Sequence, residues 1–111
     1  MKSPTEKDAS HLPHRTRALV VGIDFADALF EERLDEAVEL TTSAGAVVVA
    51  TLTGRRQKPD AATFAGSGKV EEICEAVKAN EVDLIVFNHA LSPVQIRNVE
   101  RATGVRAIDR T

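Results

Sequence analysis

Residues 18–23 read ALVVGI, an aliphatic run of the length typical of a strand that is buried on both faces. Comparable runs follow at residues 47–52 (VVVATL), 83–87 (DLIVF) and 105–108 (VRAI). Segments with apolar residues at helical spacing separate these runs. Because helices alternate with aliphatic strands, the sequence predicts an α/β fold of order β-α-β-α-β-α-β, a small three-layer domain in which helices flank a four-stranded parallel sheet. We predict the strand order 2-1-3-4.

The third predicted helix carries the clearest end signals. Ser92, Pro93 and Gln95 stand at the N-cap, the first and the third helical positions, which predicts a capping box. Gly104 stands where a C-terminal glycine is expected, as Gly45 does after the first helix.

The composition is that of an ordinary globular protein. The chain has 111 residues, of which 43% are hydrophobic and 28% are charged, so we predict one domain with a true core and exclude a disordered chain. No apolar run approaches the length of a membrane span. Cys74, the single cysteine, cannot form an internal disulfide, and we assign it to the core side of the second helix. These features predict a cytoplasmic protein.

Residues 1–16 are mostly polar, and we predict that they form a flexible N-terminal tail ahead of an α/β domain at residues 17–111. His11 and His14 lie in that tail without a fixed third ligand, so we predict no metal site. The sequence stops directly after the fourth predicted strand, which suggests a fragment of a longer protein.

Basic residues cluster in the predicted loop after the second strand. Between Gly54 and Lys69 there are four basic residues and one acid, whereas the whole chain has a formal net charge of −3. Parallel strands end at a common edge, so this loop should lie at the same edge of the sheet as the loops that follow the first and third strands. A basic edge on an acidic body favours docking of a polyanion such as RNA, and an ordinary solvated loop is the alternative. The predicted contact residues are Arg55, Arg56, Lys58, Lys69, Asn88 and His89.

The same loop ends in GSGK at residues 66–69. A P-loop needs a glycine five residues before the Gly-Lys pair and a Ser or Thr after it, but Thr63 and Val70 occupy those positions. A helix that starts here still presents backbone N–H groups, which favours a weak anion or nucleotide site. A glycine hinge into the helix is the alternative. The residues of the predicted site are Gly66, Ser67, Gly68 and Lys69.

No set of side chains predicts catalysis by this segment. His89 has no Ser, Cys or second carboxylate placed by the sequence to form a triad, so we assign no catalytic residue. Arg97, Asn98 and Arg101 lie mainly off the apolar face of the third helix. We predict that these three side chains face a partner or another domain, with solvent as the alternative.

Four motifs occur in a defined order along the chain. They are the PD…GKVE stretch at residues 59–71, FNHALSP at residues 87–93, the Gln95 and RNVE pattern at residues 95–100, and DRT at residues 109–111. Together they resemble the N-terminal domain of the HflX family of ribosome-associated GTPases. The resemblance covers about residues 17–111.

This resemblance implies a set of partners. Members of the family continue after the DRT element with a helical segment and a Ras-like G domain, in which GTP and Mg²⁺ bind. The present sequence has none of the G-domain motifs, so the resemblance assigns no cofactor to it. The family acts on the large ribosomal subunit, where it splits or rescues stalled ribosomes, and its N-terminal domain approaches ribosomal RNA.

Three functions stand as hypotheses at this point. The chain is an RNA- or ribosome-docking module of a GTPase and is not itself catalytic. Alternatively, it binds or hydrolyses a nucleotide at residues 66–69, since some family members are proposed to act on ATP through this region. In the third hypothesis it only regulates the G domain, through the exposed side of the third helix.

Overall fold

The computed structural model of the protein describes residues 15–110. Within them the chain forms four strands and three helices in the predicted order: β1 (Arg17–Asp24), α1 (Phe30–Ser43), β2 (Val47–Arg55), α2 (Ser67–Asn80), β3 (Leu84–Phe87), α3 (Pro93–Thr103) and β4 (Arg106–Ile108). The first fourteen residues of the predicted tail, with His11 and His14, lie outside the described residues, as does Thr111.

The four strands form one parallel sheet in the order β2-β1-β3-β4, so the predicted fold class and strand order are confirmed. β1 pairs with strands on both sides, and residues 18–23 are all buried. Burial on both faces explains why this stretch is continuously aliphatic. The strand order reverses between β1 and β3, and their carboxyl ends form the crevice at which α/β proteins commonly bind ligands.

Helices cover both faces of the sheet. The side chains of Phe30 and Leu34 on α1 approach Gly22 on one face. On the opposite face α2 and α3 pack against each other over the main core. This core includes Leu19, Val21, Ile23, Ile73, Val77, Ile85, Phe87 and Val99. None of the helices in residues 15–110 is long and apolar enough to span a membrane.

The helix ends follow the local sequence signals. The Oγ of Ser92 accepts a hydrogen bond from the N–H of Gln95 at 3.1 Å, and the Oε1 of Gln95 accepts one from the N–H of Ser92 at 2.8 Å. Gly104 ends α3 with φ 78°, and Gly45 follows α1 with φ 105°, values that glycine adopts without strain. The predicted capping box and both terminal glycines are confirmed.

Two local features differ from the expectations. β2 extends to Arg55, three residues past its aliphatic run, because Arg55 pairs with Asp24 at the end of β1. The loop between β2 and α2 therefore spans residues 56–66. Cys74 is half-buried rather than enclosed in the core, and its Sγ lies 3.2 Å from the carbonyl oxygen of Ala102, between α2 and α3.

The contact between α1 and β1 leaves no room for a side chain at position 22. A Cβ on Gly22 would lie 2.9 Å from the Cδ1 of Leu34, which is itself buried. We expect Gly22→Ala to lower the free energy of unfolding by about 1–3 kcal/mol, since overpacking forces α1 to shift. Urea denaturation followed by circular dichroism measures this change.

Gly68→Ala is the matched control, because a Cβ at Gly68 meets no atom within 4 Å. We expect it to leave stability unchanged or to raise it by up to about 1 kcal/mol, since alanine favours the helix. Equal losses in the two variants would contradict the tight packing of α1 on Gly22.

Candidate functional site

The loop at residues 56–66 is closed on itself by Asp60. The backbone N–H and C=O of Asp60 both pair with those of Phe64, each at 2.9 Å. The carboxylate of Asp60 accepts hydrogen bonds from the N–H of Ala62 at 3.0 Å and from the N–H and Oγ1 of Thr63 at 2.8 and 3.1 Å. These donors, the N–H of Thr63 foremost, hold the pKa of Asp60 below its usual value against the opposing effect of partial burial. The loop is therefore a compact turn with an ionised centre.

Two side chains of α3 attach this turn to the domain. The Nε2 of Gln95 donates to the carbonyl oxygen of Asp60 at 2.7 Å, and the Nδ2 of Asn98 donates to that of Ala62 at 2.9 Å. Asn98 was predicted to lie on a partner surface, and the structure shows its amide bound to the protein's own loop. Arg97 and Arg101 are exposed, as that prediction requires.

Phe64 anchors the turn in the core. Its ring is buried and lies 6.4 Å from that of Phe87, 5.7 Å from that of Phe25 and 5.0 Å from the imidazole of His89, measured between centroids. Its φ of 72° is unusual for a residue other than glycine, and the hydrogen bonds of the turn hold it there. Sequence reasoning missed this anchor. Its signal is a single aromatic residue in a segment that otherwise has no large apolar side chain.

The basic side chains at the end of β2 and in the loop differ in their exposure to solvent. The side chain of Arg55 is 85% exposed, with its guanidinium 3.8 Å from the carboxylate of Asp24. Lys58 is also exposed, and its carbonyl oxygen accepts the Nε–H of Arg56 at 3.0 Å. Arg56 is half-buried, with its guanidinium against Gly66, where a Cβ would collide with it. Arg55 at the end of β2 and Lys58 in the loop are therefore the two of these cations whose side chains project into solvent.

Lys69 is held within the protein. Its Nζ donates to the carbonyl oxygen of Thr53 at 2.8 Å and pairs with Glu72 at 3.0 Å, and its side chain is 17% exposed. The end of its aliphatic stem lies over Gly54, where a Cβ would be 2.7 Å from the Cε of Lys69. Two of the three N–H donors of the ammonium group are therefore engaged within the protein, and its charge adds to the positive potential of this region.

A crevice of about 250 Å³ separates the end of β2 from the start of α2. Arg55, Arg56 and Lys69 line it together with Gly68 and Glu72, so three cations and one carboxylate lie at the N-terminal end of the helix. The N–H groups in the first turn of a helix have no intrahelical acceptor, and the helix dipole is positive there. The crevice suits one anionic group, whereas pockets for whole small molecules usually measure about 300–1,000 Å³.

Asn88 and His89 do not line this crevice, and both lie beside a separate cavity with Asp27 and Arg110. Asn88 is buried, and the Nε2 of His89 accepts a hydrogen bond from the N–H of Ile23 at 2.9 Å, which leaves the ring proton on Nδ1. Burial lowers the pKa of His89 below its ordinary value of 6.5, and the positive charge of Arg110 acts in the same direction, whereas Asp27 opposes it. The neutral imidazole thus joins β3 to β1.

The chain beyond β4 fixes the same junction. The Oδ2 of Asp109 accepts the N–H of Leu91 at 2.8 Å, and the N–H of Arg110 donates to the carbonyl oxygen of His89 at 3.0 Å. The guanidinium of Arg110 also lies 3.4 Å from a carboxylate oxygen of Glu36 on α1. Residues 87–93 and 109–110 therefore form one structural unit. No group of three or more His, Cys, Asp and Glu side chains that could hold a metal occurs within residues 15–110.

Comparison with known proteins identifies relatives over most of the chain. Residues 31–111 match the family model described as GTP-binding GTPase N-terminal. The protein named GTPase HflX of Escherichia coli (strain K12) is 44% identical over 95 residues, which cover 86% of this chain and 22% of the relative. GTPase HflX of Alkalihalophilus pseudofirmus is 33% identical over 113 residues, which cover 100% of this chain and 25% of the relative. The chain thus spans about a quarter or less of the length of these relatives.

A solved structure shares the fold. It is described as the crystal structure of an SsGBP and GDP complex, and it superposes with a TM-score of 0.63 over 87% of this chain and 26% of that one. The sequence identity is 20%, so this likeness concerns the fold alone.

The closure of the loop by Asp60 leads to a stability prediction. Asp60→Ala removes the acceptor of three hydrogen bonds, and we expect the free energy of unfolding to fall by about 1–3 kcal/mol, as is usual for hydrogen bonds to a charged group. Urea denaturation measures the loss. Asp35→Ala removes an exposed carboxylate of α1 and should change stability by less than about 0.5 kcal/mol. Similar effects of the two substitutions would show that Asp60 does not organise the loop.

The environment of His89 leads to a pH prediction. Because its pKa is lower in the folded state than in the unfolded chain, the folded state binds fewer protons. The contribution of His89 to the free energy of unfolding should therefore be fully present above pH 6.5. It should be lost as the pH falls from 6.5 through the folded-state pKa of His89. Chemical denaturation at a series of pH values tests this. His89→Gln should show a shallower loss over the same range, and an unchanged slope would contradict the assignment.

Proposed function

The chain belongs to the HflX family and corresponds to its N-terminal domain, and from this membership we propose that it docks its parent GTPase onto RNA of the large ribosomal subunit. The observation that carries the proposal is the pair of solvent-exposed cations, Arg55 and Lys58, beside a crevice that suits a single anionic group. The segment itself performs no catalysis in this proposal. Because ribosomes act in the cytoplasm, the proposal also locates the protein there.

The rigidity of the loop supports this role. Arg55 ends a strand, and Lys58 precedes the turn that Asp60 closes and that Gln95 attaches to α3. Little backbone freedom is therefore lost when these two side chains meet a phosphate backbone. A guanidinium fits two phosphate oxygens at once, while an ammonium acts as a point charge.

The crevice adds a third contact in the proposal. A phosphate oxygen at its mouth would receive N–H groups from the first turn of α2, where Ser67 and Gly68 are exposed. Arg56 and Lys69 would strengthen the local positive potential without leaving their present partners. Asn88 and His89 would have a supporting role in this proposal. Asn88 is buried, and His89 joins the end of β3 to β1 through its hydrogen bond with Ile23.

The nucleotide hypothesis has less support. A crevice of about 250 Å³ is small for a nucleotide, and the Nζ of Lys69 is bound to Thr53 and Glu72. Calorimetry with ATP and with GTP at millimolar concentration tests this hypothesis on the 111-residue chain. We expect no heat of binding, and a saturable heat that Gly68→Asp abolishes would favour nucleotide binding instead.

In this proposal the catalytic activity belongs to another part of the parent protein. GTP and Mg²⁺ would bind in a G domain beyond this segment, and hydrolysis there would drive the splitting or rescue of ribosomes. The helical segment and the G domain are the expected partners within the parent protein. The exposed Arg97 and Arg101 on α3 remain a candidate surface for such a contact.

Co-sedimentation with purified large ribosomal subunits tests the docking role. We expect Arg55→Gln combined with Lys58→Gln to weaken binding about tenfold, equivalent to about 1.4 kcal/mol. Loss of two phosphate contacts should also lower the slope of log affinity against log salt by roughly 1.5.

The matched control removes the same charge elsewhere. Lys78 lies at the far end of α2 and Arg106 on the edge strand β4, and both are exposed. Lys78→Gln combined with Arg106→Gln should leave binding within about twofold of the unmodified chain, a difference of less than about 0.5 kcal/mol. If both double variants bind equally well, the loop is not the docking surface.

A further inference from the structure

A cavity lies at the point where the strand order reverses. It has a volume of about 130 Å³ at the carboxyl ends of β1 and β3, and we call it the switch-point cavity. Open α/β sheets commonly bind ligands at this position. Its walls include Phe25, Phe30, Asn88, His89 and Arg110. Arg55 and the crevice beside α2 are not part of it.

The side-chain amide of Asn88 is the unusual feature of this cavity. Asn88 is only 5% exposed, yet its amide forms no hydrogen bond within residues 15–110. Every fully enclosed side-chain nitrogen or oxygen in that part of the chain has a partner, so the amide atoms of Asn88 open onto cavity space. A buried amide without a partner lowers stability, and a ligand that bonds to it removes this cost.

His89 presents a second unused donor to the cavity. Its Nε2 accepts the N–H of Ile23 at 2.9 Å, and its ring centroid lies 5.6 Å from that of Phe25 and 5.0 Å from that of Phe64. The proton on Nδ1 has no acceptor among the described residues. Because the ring is already held in place, little conformational freedom is lost when this donor meets a ligand.

Two guanidinium groups add positive charge and further donors. Arg110 lies 3.4 Å from Glu36, and Arg33 lies 3.3 Å from Asp27. Each ion pair engages only part of the five N–H donors of a guanidinium. Both carboxylate oxygens of Asp27 accept hydrogen bonds from the protein, one from Arg33 and one from the N–H of Leu29. Unused donors therefore outnumber unused acceptors in the wall, which favours an anion.

The rest of the wall limits the kind of anion. Ile23, Phe25 and Phe30 give the cavity an apolar part, which suits a carboxylate with a short hydrocarbon tail better than a fully polar phosphate ion. A volume of about 130 Å³ is about four times the share of one molecule in liquid water. A ligand of about four to six non-hydrogen atoms fits this space.

Asn88 and Arg110 also border a neighbouring cavity of about 160 Å³ along α1. The carboxylates of Glu36 and Asp109 line that space, and like charges repel an anion. The unused donor of His89 faces only the switch-point cavity, so the anion is assigned there.

We propose that the switch-point cavity binds a small monocarboxylate. Its carboxylate accepts hydrogen bonds from the amide of Asn88, the Nδ1–H of His89 and the guanidinium of Arg110. Its hydrocarbon tail contacts Phe25 and Phe30. The site shares no cation with the proposed RNA contacts at Arg55 and Lys58.

Titration of the 111-residue chain with sodium propionate tests the proposal. Sodium chloride keeps the ionic strength constant, and nuclear magnetic resonance follows the side-chain amide of Asn88 and the backbone amides of Ile23 and His89. We expect saturable shifts with a dissociation constant of about 1 mM or lower. Inorganic phosphate should bind at least about tenfold more weakly than propionate.

Two variants remove the proposed donors. Asn88→Leu keeps the branched shape of the side chain without its polar atoms. It should weaken propionate binding at least about tenfold, while the thermal midpoint without propionate stays equal or rises, because a buried amide without a partner is removed. Arg110 is exposed, so Arg110→Gln should leave the fold intact and weaken binding about fivefold. Arg106→Gln removes an exposed charge on β4 and is the matched control, expected to bind within about twofold of the unmodified chain.

Shifts that do not saturate, or that chloride alone produces equally, overturn the proposal. Tighter binding of phosphate than of propionate overturns the assignment of a carboxylate. Unchanged affinity for propionate in either Asn88→Leu or Arg110→Gln also contradicts it. The experiment uses no ribosomes or RNA, so failure of the RNA-docking proposal does not affect the result.

Discussion

The carboxylate of Asp60 is the constraint on which the functional edge depends. By accepting three hydrogen bonds within three residues, it closes the turn after β2 and directs Phe64 into the core. The chain can then turn at Gly66, whose φ is 91°, and start α2. The positions of the exposed cations on one side of the turn and of the helix N-terminus on the other both follow from this closure.

Two of the four motifs that carry the family resemblance, the stretch at residues 59–71 and the pattern at residues 95–100, are in direct contact. Gln95 caps α3 with its Oε1 and holds the carbonyl of Asp60 with its Nε2, so one side chain serves both the helix and the loop. At the neighbouring junction, Asp109 and Arg110 bind the backbone of residues 89–91, and His89 binds that of β1. Side chains that look like candidate ligands in the sequence are therefore partly consumed in building a rigid edge, from which Arg55 and Lys58 project.

Local signals were enough to predict the architecture. The aliphatic runs, the capping box at Ser92 and the helix-ending glycines depend on neighbours in sequence, and the structure confirms them. The extension of β2 to Arg55 and the burial of Phe64 depend on pairing with distant residues, which no periodicity records. The direction of the Lys69 side chain is likewise set by a carbonyl sixteen residues away.

A cryo-electron microscopy reconstruction of the chain bound to the large ribosomal subunit tests the central claim most directly. The account predicts that the loop at residues 56–66 keeps its closed form and faces ribosomal RNA. Arg55 and Lys58 should then lie within hydrogen-bonding distance of phosphate oxygens, about 2.7–3.2 Å. A complex in which α3 faces the RNA while this loop points into solvent would contradict the account.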